Sequence, residues 1–95
     1  MIVSLLRFRL DLEGIASIKD KRRIVSSLKD RLQRKFKLSV AEVDLQDSLS
    51  RAEIGAAMVS NSRTFGESVL QKAIALVENE APGRVAHVEV MSEQF

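Results

Sequence analysis

The sequence predicts an α+β fold: one four-stranded antiparallel sheet with two helices on one face. Three observations carry that expectation. Two stretches, near residues 17–37 and 61–80, repeat apolar residues at helical spacing. Four others alternate or run apolar over strand lengths. The order of the six stretches is β-α-β-β-α-β, with a short polar loop in the middle.

The first strand spans residues 2–12. Ile2, Leu6, Phe8, Leu10 and Leu12 share one face, with Ser4 the polar exception, and Val3, Leu5, Arg7, Arg9 and Asp11 share the other. Glu13–Gly14 breaks the strand, and Gly14 suits a turn. Ser17 opens a helix to Lys37. Ser17-Ile18-Lys19-Asp20 matches a capping box with Asp in the acidic position. Ile24, Val25, Leu28, Leu32 and Phe36 form its apolar stripe. Lys21 and Lys35 point toward the stripe near the two ends, where a long side chain can reach back to water.

Leu38 to about Leu45 alternates again, with Ala41, Val43 and Leu45 opposite Val40, Glu42 and Asp44. Gln46–Ser50 reads as a hairpin loop. Ala52–Ser60 is apolar and mostly small on both faces, as in a central strand covered on both sides; which face meets the helices is open. Asn61 or Ser62 caps the second helix, whose stripe is Phe65, Val69, Ala73, Leu76 and Val77, flanked by Leu70 and Ile74. Gly66 weakens its first turn by up to about 1 kcal/mol relative to Ala. Ala81-Pro82-Gly83 is a turn. Val85–Met91 is the last strand, with Val85, His87, Glu89 and Met91 on one face, and Ser92–Phe95 is a short tail. This order is that of the ferredoxin-like split βαβ fold, in which right-handed crossovers put the first and third strands in the centre and leave one sheet face bare.

At 95 residues the chain is expected to form a single domain, residues 1–95, with a modest core. With no cysteine, thiolate metal sites, disulfides and Cys nucleophiles are excluded. That fits a reducing compartment, and a cytoplasmic location is expected. The apolar N-terminus is interrupted by Arg7 and Arg9 and lacks signal-peptide features, and no apolar run is long enough to span a bilayer.

Charge is segregated. Nine Lys/Arg (19, 21, 22, 23, 29, 31, 34, 35 and 37) and two Asp lie within Lys19–Lys37, although the formal net charge of the whole chain is only +2. Lys19, Lys21, Arg22 and Arg23 crowd the helix start, where the positive end of the macrodipole disfavours cations by roughly 0.3–1 kcal/mol each. A helix tuned only for stability would carry acids there. Lys19, Lys21, Arg22, Arg23, Lys29 and Arg34 are therefore the candidate phosphate- or RNA-binding residues, set against an ordinary solvated surface helix.

The bare sheet face offers a second surface. The chain has no Trp or Tyr, and Phe8, Phe36, Phe65 and Phe95 do not fall where a base-stacking platform needs them. Val3, Leu5, Arg7, Val85, His87 and Met91 instead outline a candidate homodimer interface. Glu42, Asp44, Asp47 and Glu53 read as ion-pair partners for Arg7, Arg9 and Arg51 rather than as a metal site. His87 is the only histidine, the glycines are scattered, and no nucleophile–base pair stands out, so no enzyme chemistry, metal or cofactor is expected.

Ser17-Ile18-Lys19-Asp20-Lys21-Arg22-Arg23, followed by Ile24 to Leu32 (IVSSLKDRL), resembles the signature of the YlxP family of small bacterial proteins of unknown function. Ser39–Asp44 (SVAEVD), Gln46-Asp47, Arg51-Ala52 and Val59-Ser60-Asn61 resemble its further motifs, in order, across essentially the whole chain. Leu45 stands where the family commonly has His, and Leu49 where an aromatic is common. The resemblance implies a ferredoxin-like fold. It also implies work on RNA or the ribosome, because family genes commonly lie beside genes of transcription termination, translation initiation and ribosome maturation. It implies no catalytic residue. Two functions are thus expected as alternatives: RNA or ribosome binding through the basic helix, or a dimeric protein-interaction module using the open sheet face.

Overall fold

A computed structural model describes all 95 residues. The elements are β1 (Ile2–Asp11), α1 (Ile18–Phe36), β2 (Ser39–Asp44), β3 (Arg51–Ser60), α2 (Arg63–Glu80) and β4 (Arg84–Gln94). The sheet order is β2-β3-β1-β4, with every neighbouring pair antiparallel. This is the ferredoxin-like arrangement that the element order predicts. Neither helix is long and apolar enough to cross a membrane.

β1 lies in the middle and pairs along its full length with β3, from Ile2 opposite Ser60 to Asp11 opposite Arg51. Its even-numbered side chains are buried beneath the helices: Leu6, Phe8 and Leu10 meet Ala52, Ile54 and Ala56 of β3 and Val40 of β2. Val25, Leu28 and Leu32 of α1 and Leu70, Ala73, Ile74, Leu76 and Val77 of α2 close the core from above. Each large aliphatic or aromatic side chain buried this way contributes roughly 1.5–3 kcal/mol. The even positions of β3 are the ones that meet the helices, so Gly55, Ala57 and Val59 join Val3, Leu5 and Arg7 on the open face.

α1 begins at the predicted Ser17 cap, with one of the two bonds of a capping box formed. The Ser17 hydroxyl accepts from the Asp20 amide at 3.1 Å. It ends at Lys37, in the left-handed region, whose amide donates to the Gln33 carbonyl at 3.0 Å. Ser62 caps α2 by accepting from the Phe65 amide at 3.2 Å.

Three expectations need correction. The buried face of α2 is Gly66, Leu70, Ala73, Ile74, Leu76 and Val77, and Phe65 is 58% exposed. The cause is Gly66, which lets α2 settle directly onto the buried Ser4: a Cβ on Gly66 would stand 2.1 Å from Ser4 Oγ. Glycine thus costs intrinsic helix propensity but permits a close helix–strand approach. The Ser4 hydroxyl remains satisfied through Ser92 Oγ at 2.8 Å.

Second, Ser92–Gln94 is not a tail. It continues β4, with Ser4 opposite Ser92 and Ile2 opposite Gln94, because the start of β1 otherwise has one unpaired edge. Third, β4 does not keep one face throughout. Its register slips between Arg7 and Arg9, where His87 and Val88 together oppose Phe8, and His87 has a φ of 53°. This β-bulge reverses the alternation. Val85, opposite Leu10, packs against the core, whereas Met91, opposite Leu5, lies on the open face.

Gly66→Ala is expected to lower stability by about 1–3 kcal/mol, despite the better helix propensity of Ala, because Ser4 has no room to retreat. Urea unfolding followed by circular dichroism checks this; an unchanged or higher midpoint would show that α2 can lift away without loss.

Candidate functional site

The outward face of α1 carries a broad, shallow depression of about 720 Å³ with no apolar lining. Lys19, Arg22, Arg23, Ser26, Ser27, Asp30, Arg31 and Arg34 line it. Successive turns of one helix bring these side chains together: residues three and four apart share a face. Ser26 and Ser27 are small, so the cations at 19, 22 and 23 and those at 31 and 34 stand around a low saddle. Lys19, Arg22, Arg23, Lys29 and Arg34 have no acidic partner within ion-pair distance. Lys29 is half-buried at the margin, and Lys35 lies over the Phe36 ring with its ammonium 5.7 Å from the centroid.

Lys21 is the exception among the predicted anion-binding residues. It is 1% exposed, and its ammonium donates to the Leu45 carbonyl at 2.6 Å and stands 2.9 Å from Glu42 Oε2. It does not reach back to water. Its Cα lies on the buried stripe, and a carboxylate of β2 waits within reach on the same side of the sheet. Glu42 lies opposite the core residue Ile54, so it faces the helices. A bulge follows it, and Asp44 pairs with Glu53 on the other face. The two carboxylates therefore do not share a site. The Lys21 ammonium directs its hydrogen bond at Leu45, so Glu42 Oε2 has a charge partner but no aligned donor. Leu45 takes a φ of 64° to present that carbonyl, and its own amide donates to Asp44 Oδ1 at 2.7 Å. The left-handed conformation costs about 1–2 kcal/mol. A charge-assisted hydrogen bond contributes a similar amount in return, about 1.5–3 kcal/mol.

The cationic crowd at the helix start thus reduces to Lys19, Arg22 and Arg23. Sequence reasoning omitted Arg31, Ser26 and Ser27 from the site. Arg31 lies eight residues after Arg23 and is visible by helical spacing; it bonds Ser27 Oγ at 3.2 Å and meets Glu80 of α2 at 3.4 Å.

The open sheet face is divided across its strands. One half is apolar at its centre, with Val3, Leu5, Ala57, Val59 and Met91, and Ala41, Val43 and Gly55 beside them; Glu93 opposite Val3 and Ser39 opposite Ala57 make its edges polar. Leu5, Val43, Val59 and Met91 are 38–62% exposed. A shallow groove of about 460 Å³ runs over Gly55 and Ala57 between Leu5 and Val43, with Arg7 at its end. The other half is charged. Arg7 donates twice to Glu53, at 3.1 and 2.9 Å, and Arg9 twice to Asp11, at 2.8 and 3.1 Å. His87 joins Arg7, Arg9, Arg51, Glu53 and Glu89 around a hollow there. Of the predicted interface residues, Val3, Leu5, Arg7, His87 and Met91 come together, and Val85 does not. The strand residues of this face include no aromatic.

Fold and surfaces together define a small ferredoxin-like protein with one cationic helix face and one bare sheet face. The chain belongs to the family described as "Protein of unknown function (DUF503)", which matches residues 3–90. It is 36% identical over 63 residues to the uncharacterised protein YlxP of Bacillus subtilis, covering 66% of this chain and 68% of that protein. Among solved structures it is similar to acylphosphatase from Bacillus subtilis, with a TM-score of 0.56 and 18% identity over 100% of this chain and 88% of that one. A de novo designed ferredoxin-fold protein gives a TM-score of 0.58 at 10% identity, covering 98% of this chain and 83% of the design. Protein Atu4242 from Agrobacterium tumefaciens gives 0.53 at 12% identity, covering 99% and 92%. At these identities the structures share the fold.

Lys21→Met is expected to cost about 1–3 kcal/mol, since it strands the Glu42 carboxylate. Adding Glu42→Gln should recover most of the loss, and chemical unfolding of the two variants measures both steps. The Asp11 carboxyl is held below the usual carboxylate range, chiefly by its hydrogen bonds from Arg9. A depressed folded value means that its contribution to stability is present above the unfolded pKa and is lost as pH falls through the folded one. NMR titration of Asp11 should show a lowered midpoint that rises in Arg9→Gln.

Proposed function

We propose that this is a non-enzymatic protein that binds RNA, free or in a ribosomal particle, through the outward face of α1. The observation that carries the reading is the set of uncompensated cations Lys19, Arg22, Arg23, Lys29 and Arg34 on one helix, with Arg31 among them. From Lys19 to Arg34 the helix rises about 22 Å. That is long enough to meet several backbone phosphates, whose neutralisation releases condensed counterions. Arginines are well suited to the task because the guanidinium fork matches phosphate oxygens. Ser26 and Ser27 add hydroxyl donors at the centre of the cationic saddle, with Ser27 already bonded to Arg31. The site offers no base-edge reader or aromatic platform, so contacts to phosphate and sugar dominate and sequence preference is weak.

Filter binding to a structured RNA over a salt series tests the reading. About five phosphate contacts should make log K fall with log salt at a slope of roughly −3 to −5. Arg22→Glu with Arg23→Glu should weaken binding at least tenfold at low salt and flatten the slope by about two. A flat salt response, unchanged in that double variant, would sink the idea. Comigration with a ribosomal subunit at low but not high salt would identify the particle.

A further inference from the structure

We infer that the open sheet face is covered by a second copy of this chain, in a two-fold dimer whose axis runs parallel to the strands between β1 and β3. The inference stands apart from the reading of α1, which lies on the opposite side of the sheet.

The register carries it. A two-fold axis in that position lays each open-face residue of β1 over the β3 residue of its own row in the second copy. The rows are Val3 with Val59, Leu5 with Ala57, Arg7 with Gly55, Arg9 with Glu53, and Asp11 with Arg51. Facing a copy of itself, the surface therefore sets large over small at Leu5 and Arg7, apolar over apolar at Val3, and opposite charges at Arg9 and Asp11. An axis across the strands loses this match: it lays apolar rows on charged ones, or, if moved into the apolar half, sacrifices much of the overlap.

The charged half gains most. Within one chain Arg7 holds Glu53 and Arg9 holds Asp11, while Arg51 has no acidic partner. Across the axis these groups join in alternating sign: Arg7 and Glu53 of one copy, Arg9 and Asp11 of the other, then Arg51 of the first. Like charges directly opposed would instead cost several kcal/mol.

The area is sufficient. Three strands of ten or eleven residues and the six-residue β2, about 4.8 Å apart with about 3.3 Å rise per residue, present roughly 600 Å² before surface relief is added. Two such faces bury roughly 1,200 Å², the lower limit of a stable, specific interface. Aligned sheets pack about 10 Å apart at about −30°, which keeps the middle rows, Leu5 to Arg9, in closest opposition and leaves the end rows to be bridged by their longer side chains. α1 of each copy then remains on the outside of the dimer.

Sedimentation equilibrium at micromolar concentration tests the inference. The expected mass is twice the chain's 10.6 kDa. Leu5→Lys and, independently, Val59→Lys are solvent-exposed substitutions that should give single-chain mass with unchanged circular dichroism. Arg9→Glu, which would oppose Glu53 of the second copy, should raise the dimer dissociation constant roughly tenfold or more. A single-chain mass at all concentrations up to the submillimolar range, with or without binding of a hydrophobic dye to the face, overturns the inference. So does a dimer that both lysine variants leave intact.

Discussion

Everything in this molecule is arranged around the period-two alternation of β1. The strand is hydrogen-bonded on both edges, to β3 and β4, so its side chains can leave only above or below the sheet. Leu6, Phe8 and Leu10 leave on one side and need cover, which the two helices supply. Val3, Leu5, Arg7, Arg9 and Asp11 leave on the other. A slip of one residue would exchange the two sets and put arginines beneath the helices. The register of β1 thus decides where the core is, which side carries the helices and which side stays bare.

The helices are fixed to that sheet by unlike devices. α2 comes down where a missing side chain, at Gly66, meets a buried hydroxyl, at Ser4. α1 is anchored at its start by a buried cation, Lys21, held between a carboxylate of β2 and the carbonyl of Leu45. That anchor also orients α1. With Lys21 turned inward, Lys19, Arg22 and Arg23 are turned outward, because neighbours on a helix are 100° apart. One buried ion pair therefore helps to set which cations reach solvent, and it joins the basic surface to the turn that follows β2.

The two β-bulges have a comparable influence on the opposite side. The bulge in β4 takes Val85 off the open face, and the bulge in β2 turns Asp44 away from the helix side that Val40 and Glu42 share. Both lie toward the charged end of the sheet, and His87 and Leu45 adopt left-handed conformations within or just beyond them. In the apolar half of the open face, by contrast, β1 and β3 pair without interruption, with small residues on β3 beside larger ones on β1.

Element types, their order and the buried side of β1 were legible in the sequence, because alternation and helical spacing are local consequences of backbone geometry. The cap at Ser17, the central position of β1 and β3, and the concentration of cations on α1 were legible for the same reason. Which lysine turns inward was not, since that depended on a carboxylate twenty-one residues away. Nor was the burial of Gly66 or the exposure of Phe65, which follow from how closely α2 approaches Ser4. The faces of Val85 and Asp44 were settled by bulges, which keep strand composition unchanged while reversing the direction of every side chain beyond them. The sequence by itself determined the periods and the charge; only the tertiary structure decided the phase, because a side chain's direction at the end of a strand depends on what its neighbouring strand does with one extra residue.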